Sequence, residues 1–196
     1  MCNLINISNS LLPTNYGEFR IHILKDVNTN IEHIALTKGD VENGENVLTR
    51  VHSECVTGDI FSSLRCDCGE QLIQSLIRIN KEGLGLVVYI RDHEGRGIGL
   101  ANKIKAYHLQ ECGLDTVEAN IALGFPVDGR SYLVASEIIH SFNIRSIHLL
   151  TNNPLKALSL SKLDVTVSKQ LPLIVKENIF NSTYLQTKRV KLNHLI

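Results

Sequence analysis

The chain has no surplus of charge of either sign: 20 Lys and Arg stand against 20 Asp and Glu. A protein that grips nucleic acid by neutralising phosphates carries a basic excess, so nucleic acid is not an expected partner. There is no Trp, and aromatic residues make up only 5% of the chain, which leaves little to stack on unpaired bases. No apolar run approaches the ~20 residues of a membrane span. The N-terminus lacks the charged, then apolar, then small-residue pattern of a secretory signal. The expected location is therefore the cytoplasm, with no membrane contact. Low-complexity linkers, internal repeats and long charge runs are also missing. What is present, 196 residues with 43% hydrophobic and 20% charged, is the composition of an ordinary globular protein, long enough to close one sizeable core.

Cysteine is sparse and odd in number, at positions 2, 55, 66, 68 and 112. An odd count without a secretory signal argues against a disulfide framework. Reduced thiols, a metal, or plain burial remain.

The first third reads as strands. Phe19 to Leu24, Ile31 to Thr37 and Val47 to Val51 are short β-favouring runs separated by Asn and Gly clusters. Gly69 to about Glu82 has apolar residues at helical spacing (Leu72, Ile73, Leu76, Ile77) and Gly83 and Gly85 just beyond. Leu84 to Ile90 is a continuous apolar run, the signature of a strand covered on both faces. After the glycine-rich turn Glu94 to Gly99, a helix carries Leu100, Ile104 and Tyr107 along one side. Further helices are expected over Asp115 to Leu123, over Tyr132 to Phe142 and from Asn153-Pro154, where Pro is pre-set for the first turn. Strands are expected at Ile147 to Leu150 and Val165 to Val167. Strands and helices alternate from Leu84 onward. The expected fold is α/β: a mixed, mostly parallel sheet flanked by helices, with a β-rich N-terminal third, as a single domain over 1–196.

Several segments carry possible chemistry. Cys55, Cys66 and Cys68 form C-x10-C-x-C, the last two just before a helix. Thiolates favour zinc, and three protein ligands leave a tetrahedral position for water. Three free or buried thiols, or a closed site with His52 as fourth ligand, are the other readings; the last needs a bend, since His52 and Cys55 face opposite sides of a regular strand. Arg50-Val51-His52-Ser53-Glu54 is either a half-exposed strand or a ligand contact. In the second case the carboxylate suits guanine donors and the guanidinium suits phosphate. Glu94 to Gly99 serves turn geometry alone or cradles an anion beside Arg96. Asp128 and Arg130 are a solvated ion pair, or a base and a phosphate contact. Thr151 to Lys156 is a helix cap, or places Thr151 and Lys156 on a ligand at the C-terminal edge of the sheet. Tyr107 is semi-buried packing or a proton donor.

In this order the segments resemble GTP cyclohydrolase II. The resemblance rests on Arg50 to Cys55 with Thr57-Gly58-Asp59, and on Ser63-Leu64-Arg65-Cys66-Asp67-Cys68-Gly69 with Gln71. It continues through His93 to Leu100, Asn102 to Tyr107, Asp115 to Asn120, Leu123-Gly124-Phe125 and Leu149 to Pro154. It covers nearly the whole chain. The resemblance implies zinc on Cys55, Cys66 and Cys68. It implies GTP contacts from Arg50, Val51, His52, Ser53, Glu54, Gln71, Glu94, Gly95, Arg96, Thr116, Thr151 and Lys156. It implies Asp128 as proton acceptor, Arg130 as nucleophile and Tyr107 as a residue that completes the reaction. Because Arg, with a pKa above ~12, stays protonated, electrostatic stabilisation stands as an equal role for Arg130. The implied reaction turns GTP into formate, diphosphate and a diaminopyrimidinone phosphoribosylamine, the first step towards riboflavin, in a homodimer that uses magnesium for the phosphates. Some relatives fuse this module to a dihydroxybutanone phosphate synthase, for which the length here leaves no room. A homologue that opens the ring incompletely and a non-enzymatic zinc- or RNA-binding module are the competing readings. Tyr107 and the three cysteines favour the complete reaction.

Overall fold

The computed structural model describes residues 4–195, so Cys2 lies outside the described part. Seven strands form one sheet in the order β1-β2-β3-β5-β4-β6-β7. They are β1 (Leu4–Thr14), β2 (Gly17–Asp26), β3 (Glu32–Lys38), β4 (Val47–Ser53), β5 (Gly85–Ile90), β6 (Ile147–Leu150) and β7 (Val167–Leu171). The junctions β1·β2, β2·β3 and β3·β5 are antiparallel. Those of β4 with β5, β4 with β6 and β6 with β7 are parallel. The sheet is thus mixed as expected, with its parallel half confined to the C-terminal strands and as many antiparallel junctions as parallel ones.

Helices α1 (Val56–Asp59) and α2 (Cys68–Glu82) link β4 to β5. Helices α3 (Leu100–Glu111), α4 (Thr116–Ala122) and α5 (Leu133–Ser141) link β5 to β6. Helix α6 (Pro154–Ser161) links β6 to β7, and α7 (Ser182–Leu192) follows. The parallel strands are buried on both faces because helices cover both. On one face Val51, Leu86, Val88 and Leu149 pack with Ile138 and Ile139 of α5 and Leu160 of α6. On the other, Leu48, Val87 and Leu150 pack with Leu76 and Ile79 of α2. Local signals end these helices where they should. Gly83 takes the left-handed conformation that closes α2. Asp115 caps α4 in a capping box with Glu118. Asn153 caps α6 with Pro154 in its first turn.

Three expectations are revised. The strand anticipated at Val165 to Val167 forms at Val167–Leu171 instead, while Val165 is buried in the core ahead of it. Leu100 and Ile104 of α3 are exposed, and the face turned inward carries Lys103 and Ala106. Strand β1 and helices α1 and α7 arise where the pattern had suggested no element. Among the described residues, no helix is long and apolar enough to cross a membrane.

The consequence for function is positional. Strands β4, β5 and β6 run parallel and end side by side, with Ser53 opposite Ile90. The segments beyond those ends, from Glu54, Arg91 and Thr151, converge at the C-terminal edge of the sheet, where open α/β folds bind ligands.

Candidate active site

A cavity of about 500 Å³ opens at that edge, within the size range of small-molecule sites. Every candidate residue from the sequence lines it except Val51. The Val51 side chain is fully buried in the core, and only its carbonyl serves the site, accepting a hydrogen bond from Lys156 Nζ at 2.7 Å.

The sulfurs of Cys55, Cys66 and Cys68 lie within 4.8 Å of one another and can hold a metal ion. Cys55 Sγ and Cys66 Sγ are 3.8 Å apart. Two close backbone approaches make this possible. A Cβ on Gly69 would sit 2.2 Å from the Gly58 carbonyl oxygen, so glycine there lets α1 and α2 touch. A Cβ on Gly58 would meet the Cys66 and Cys55 sulfurs at 3.0 and 3.2 Å, so glycine leaves the trio its room. Hydrogen bonds from the other two thiols, then the nearby Lys103 ammonium, hold the Cys55 thiol far below its usual range. The hydrogen bond to Cys55 in turn pushes Cys66 up to about 11, and the bonds to both partners raise Cys68. Of the three thiols, Cys55 is the one favoured to carry negative charge.

Lys103 answers that charge. It is buried, and its ammonium donates to Cys55 Sγ at 3.0 Å, Thr57 Oγ1 at 2.8 Å and Glu94 Oε1 at 2.6 Å. Burial pulls its pKa down, but the Cys55 thiolate and Glu94 outweigh this and raise it. Glu94 is itself buried and also accepts from the Val56 backbone at 2.6 Å. Its carboxylate is therefore committed to the frame of the trio. Tyr107 is 3.3 Å from Thr57 Oγ1, and the Arg65 guanidinium lies over its ring at 4.3 Å. Burial raises the phenol pKa, against the pull of Thr57 and Lys103, so it stays protonated.

His52 does not join the cysteines. Its Nε2 meets Asp59 Oδ1 at 3.0 Å, and its ring stacks on Tyr89. Asp59 also accepts from the Cys55 backbone at 3.0 Å and from the Tyr89 hydroxyl at 2.9 Å. The fourth-ligand reading of His52 fails because this carboxylate holds the ring.

The lining of the same cavity also carries cations. Arg130 makes a two-pronged pair with Asp128, at 2.8 Å from Nε and 2.5 Å from a terminal nitrogen, and reaches Ser53 Oγ at 3.3 Å. Burial opposes both charges, yet the pairing raises the Arg130 pKa and lowers that of Asp128. Lys156 is buried over the Tyr132 ring. Burial, then Arg50 and Arg130, drives its pKa well below the usual lysine value. Arg50 is buried too, donating to the Leu150 carbonyl at 3.0 Å and to Gln71 Oε1 at 2.7 Å. Gln71 Nε2 donates to Asp67 at 2.6 Å, so both ends of that amide are oriented. Glu54 accepts from the Asp92 backbone at 3.1 Å. Arg96 holds a left-handed backbone in the glycine-rich turn and donates to the Val127 carbonyl at 3.4 Å. The Thr151 hydroxyl accepts from the Asn153 backbone at 3.1 Å, and Thr116 opens α4 at the rim.

The model of the GTP cyclohydrolase II family matches residues 6–172. The chain belongs to that family. It is 51% identical over 193 residues to the GTP cyclohydrolase-2 of Neisseria gonorrhoeae (strain ATCC 700825 / FA 1090), covering 98% of this chain and 97% of that protein. It is 46% identical to the riboflavin biosynthesis protein RibBA of Nocardia farcinica (strain IFM 10152), over 97% of this chain but 46% of that one. The chain therefore spans about half of the RibBA relative and nearly all of the GTP cyclohydrolase-2. Among solved structures, RibBX, a two-domain 3,4-dihydroxy-2-butanone 4-phosphate synthase from A. baumannii, is similar with a TM-score of 0.51 over 87% of this chain and 41% of that one. At 18% identity this is a likeness of fold alone.

Reading the sequence of this GTP cyclohydrolase II family member missed the roles of Lys103, Asp59 and Asp67, and missed the C-terminal residues Tyr184, Lys188 and His194 that line the cavity. The first three lie within segments that carried the family resemblance. The last three lie beyond them, with no local signal.

Proposed function

We propose that the chain hydrolyses GTP to formate, diphosphate and 2,5-diamino-6-(5-phosphoribosylamino)pyrimidin-4-one, at a zinc ion held by Cys55, Cys66 and Cys68. The observation that carries this is one cavity lined both by a soft sulfur trio and by Arg96, Arg130 and Lys156, the two chemistries needed by a nucleotide with a base to open and phosphates to hold. The trio fits zinc. Tetrahedral zinc–thiolate bonds of about 2.3 Å place sulfurs about 3.8 Å apart, and Gly58 leaves the space. When bound, the metal supplies Lewis acidity and water acidified to a pKa of roughly 7.

The chain's own residues do the rest. Lys103 offsets the thiolate charge and keeps Cys55 deprotonated for the metal. Tyr107 holds a proton close to the trio, where ring opening needs a donor. Glu54 and Gln71 offer acceptors to the guanine edge. Arg96, Arg130 and Lys156 meet the phosphates and stabilise charge as diphosphate leaves. Asp128 takes a proton from Arg130 if that residue attacks covalently, and aligns it if Arg130 acts only by its charge. Magnesium would arrive on the phosphates, since the described residues hold no second cluster of metal-ligating side chains. The reading includes a homodimer acting in the cytoplasm as the first step of riboflavin biosynthesis.

The test is to incubate zinc-loaded protein with GTP and magnesium and to quantify formate, diphosphate and the pyrimidine together. All three should appear in equal amounts, and Cys66→Ser should abolish formate with the fold retained. Full formate release by Cys66→Ser, or comparable turnover of ATP, defeats the assignment.

A further inference from the structure

Helix α7 begins ten residues after the family match ends at residue 172, and it docks by polar contacts. Leu185 is its one buried large apolar residue, beside buried Thr187 and Lys188. Lys191 pairs with Asp115 and with Glu118 at the rim of α4. Past the helix, the Leu195 backbone donates to the Asn152 carbonyl at 2.9 Å. Yet Tyr184, Lys188 and His194 line the cavity.

Lys188 is the innermost contact. Its ammonium reaches both oxygens of Asp67 at 2.8 Å. Asp67 stands between Cys66 and Cys68, and its carboxylate also accepts from Gln71 Nε2 at 2.6 Å. Gln71 Oε1 takes the Arg50 guanidinium at 2.7 Å, and Arg50 is tied to the end of β6 through the Leu150 carbonyl. Asp67, Gln71, Arg50 and Lys188 are all buried. The four form an unbroken file from the C-terminal helix to the strand edge. With Lys188 removed, Asp67 would be a buried carboxylate short of a cation, a state that costs far more than the pair itself contributes. Its remaining side-chain partner is the Gln71 amide, which Arg50 still holds at Oε1 but whose Nε2 then donates to a carboxylate no longer anchored from α7.

We propose that Lys188 is a positioning residue of the substrate site: from α7 it fixes Asp67, and through Asp67 the Gln71 amide and Arg50, in the orientation they present to a purine nucleotide. The proposal rests on the GTP reading above. A helix that docked on the surface for stability alone would not touch nucleotide affinity. A positioning residue shifts KM while leaving the chemical step largely intact, because the metal trio and the phosphate cations stay in place.

Lys188→Met should raise KM for GTP by about tenfold or more with kcat within about threefold. In a Gln71→Ala background the same change should add little, because both variants break one file. A KM within about twofold of wild type, or losses that add in the double variant, overturns the proposal. The wild-type chain gives a second readout that does not depend on a variant folding. A non-hydrolysable GTP analogue should slow amide exchange over 182–192 as well as over 50–55. Protection at 50–55 alone overturns the role of the helix. Protection at neither defeats the GTP assignment, and the proposal with it.

Discussion

Lys156 shows how one residue can register the arrival of a polyanion. It is buried, its ammonium donates to the Val51 carbonyl, and Arg50 and Arg130 stand nearby. Burial and those two cations drive its pKa well down, so the empty site tends to shed this proton. A bound triphosphate reverses the second cause, since negative charge within a few ångströms favours the protonated amine. Nucleotide binding near pH 7.5 should therefore be accompanied by net proton uptake. Titration calorimetry in buffers of different ionisation enthalpy measures this directly, and Lys156→Met should remove most of it. Binding with no buffer dependence in the wild type would mean that Lys156 keeps its proton in the empty cavity.

At the scale of elements, the site depends on how closely α1 approaches α2. Cys55 precedes α1, Cys66 and Cys68 lead into α2, and Gly69 lets the two backbones touch. Gly69→Ala places a methyl against the Gly58 carbonyl, which is backbone and cannot rotate aside. The helices must separate, spreading the sulfurs. The expected outcome is metal content well below one per chain, with a stability loss of about 1–3 kcal/mol from overpacking. Metal analysis beside a urea melt checks both, and full occupancy in Gly69→Ala would show that the trio closes without this contact. The same elements show what could be read from sequence. Strands β2 to β5 and β6 announced themselves by apolar runs, and α2, α4 and α6 by Gly83, Asp115 and Asn153-Pro154, because those signals act locally. Strand β1 was silent: most of its residues are exposed at the sheet edge and none is buried, so no sustained apolar alternation marks it. Strand β7, Val-Ser-Lys-Gln-Leu, is set by pairing with β6. The cysteine trio was legible because thiols are rare in this chain. Lys103 and Lys188 were not, since a lysine on a helix reads as solvated. The partner that buries Lys188 is 121 residues away in sequence.

For the whole molecule, the concentration of cations around one cavity sets how it responds to acid. His93 lies beside Ser53, and burial, then Arg130 and Lys156, lowers its pKa from 6.5 to about 4. His194 lines the same cavity, and burial, then Lys188 and Arg96, lowers it to about 3. Both are neutral in the folded chain, whereas the unfolded chain protonates them near pH 6.5. Between that value and their folded pKa values the unfolded state binds more protons, so stability rises with pH. Their contribution is complete above about pH 6.5 and is lost as pH falls towards 4, with a slope of up to about 1.4 kcal/mol per pH unit for each histidine. Asp128 is not part of this loss: its pKa is held below its ordinary 3.8, so its own acid penalty comes at lower pH. Urea unfolding of zinc-free wild type beside His93→Gln from pH 7.5 to 4.5 separates the His93 contribution from metal release and from Cys55 and Lys156, which titrate alike in both. Stability should fall steadily below pH 6.5, and His93→Gln should flatten the curve. Inorganic phosphate should flatten it as well, because an anion among the same cations raises both histidine pKa values in the folded state. Equal slopes in wild type and His93→Gln between pH 6.5 and 5 would mean that the His93 ring meets water and not the buried, cation-lined surroundings described above.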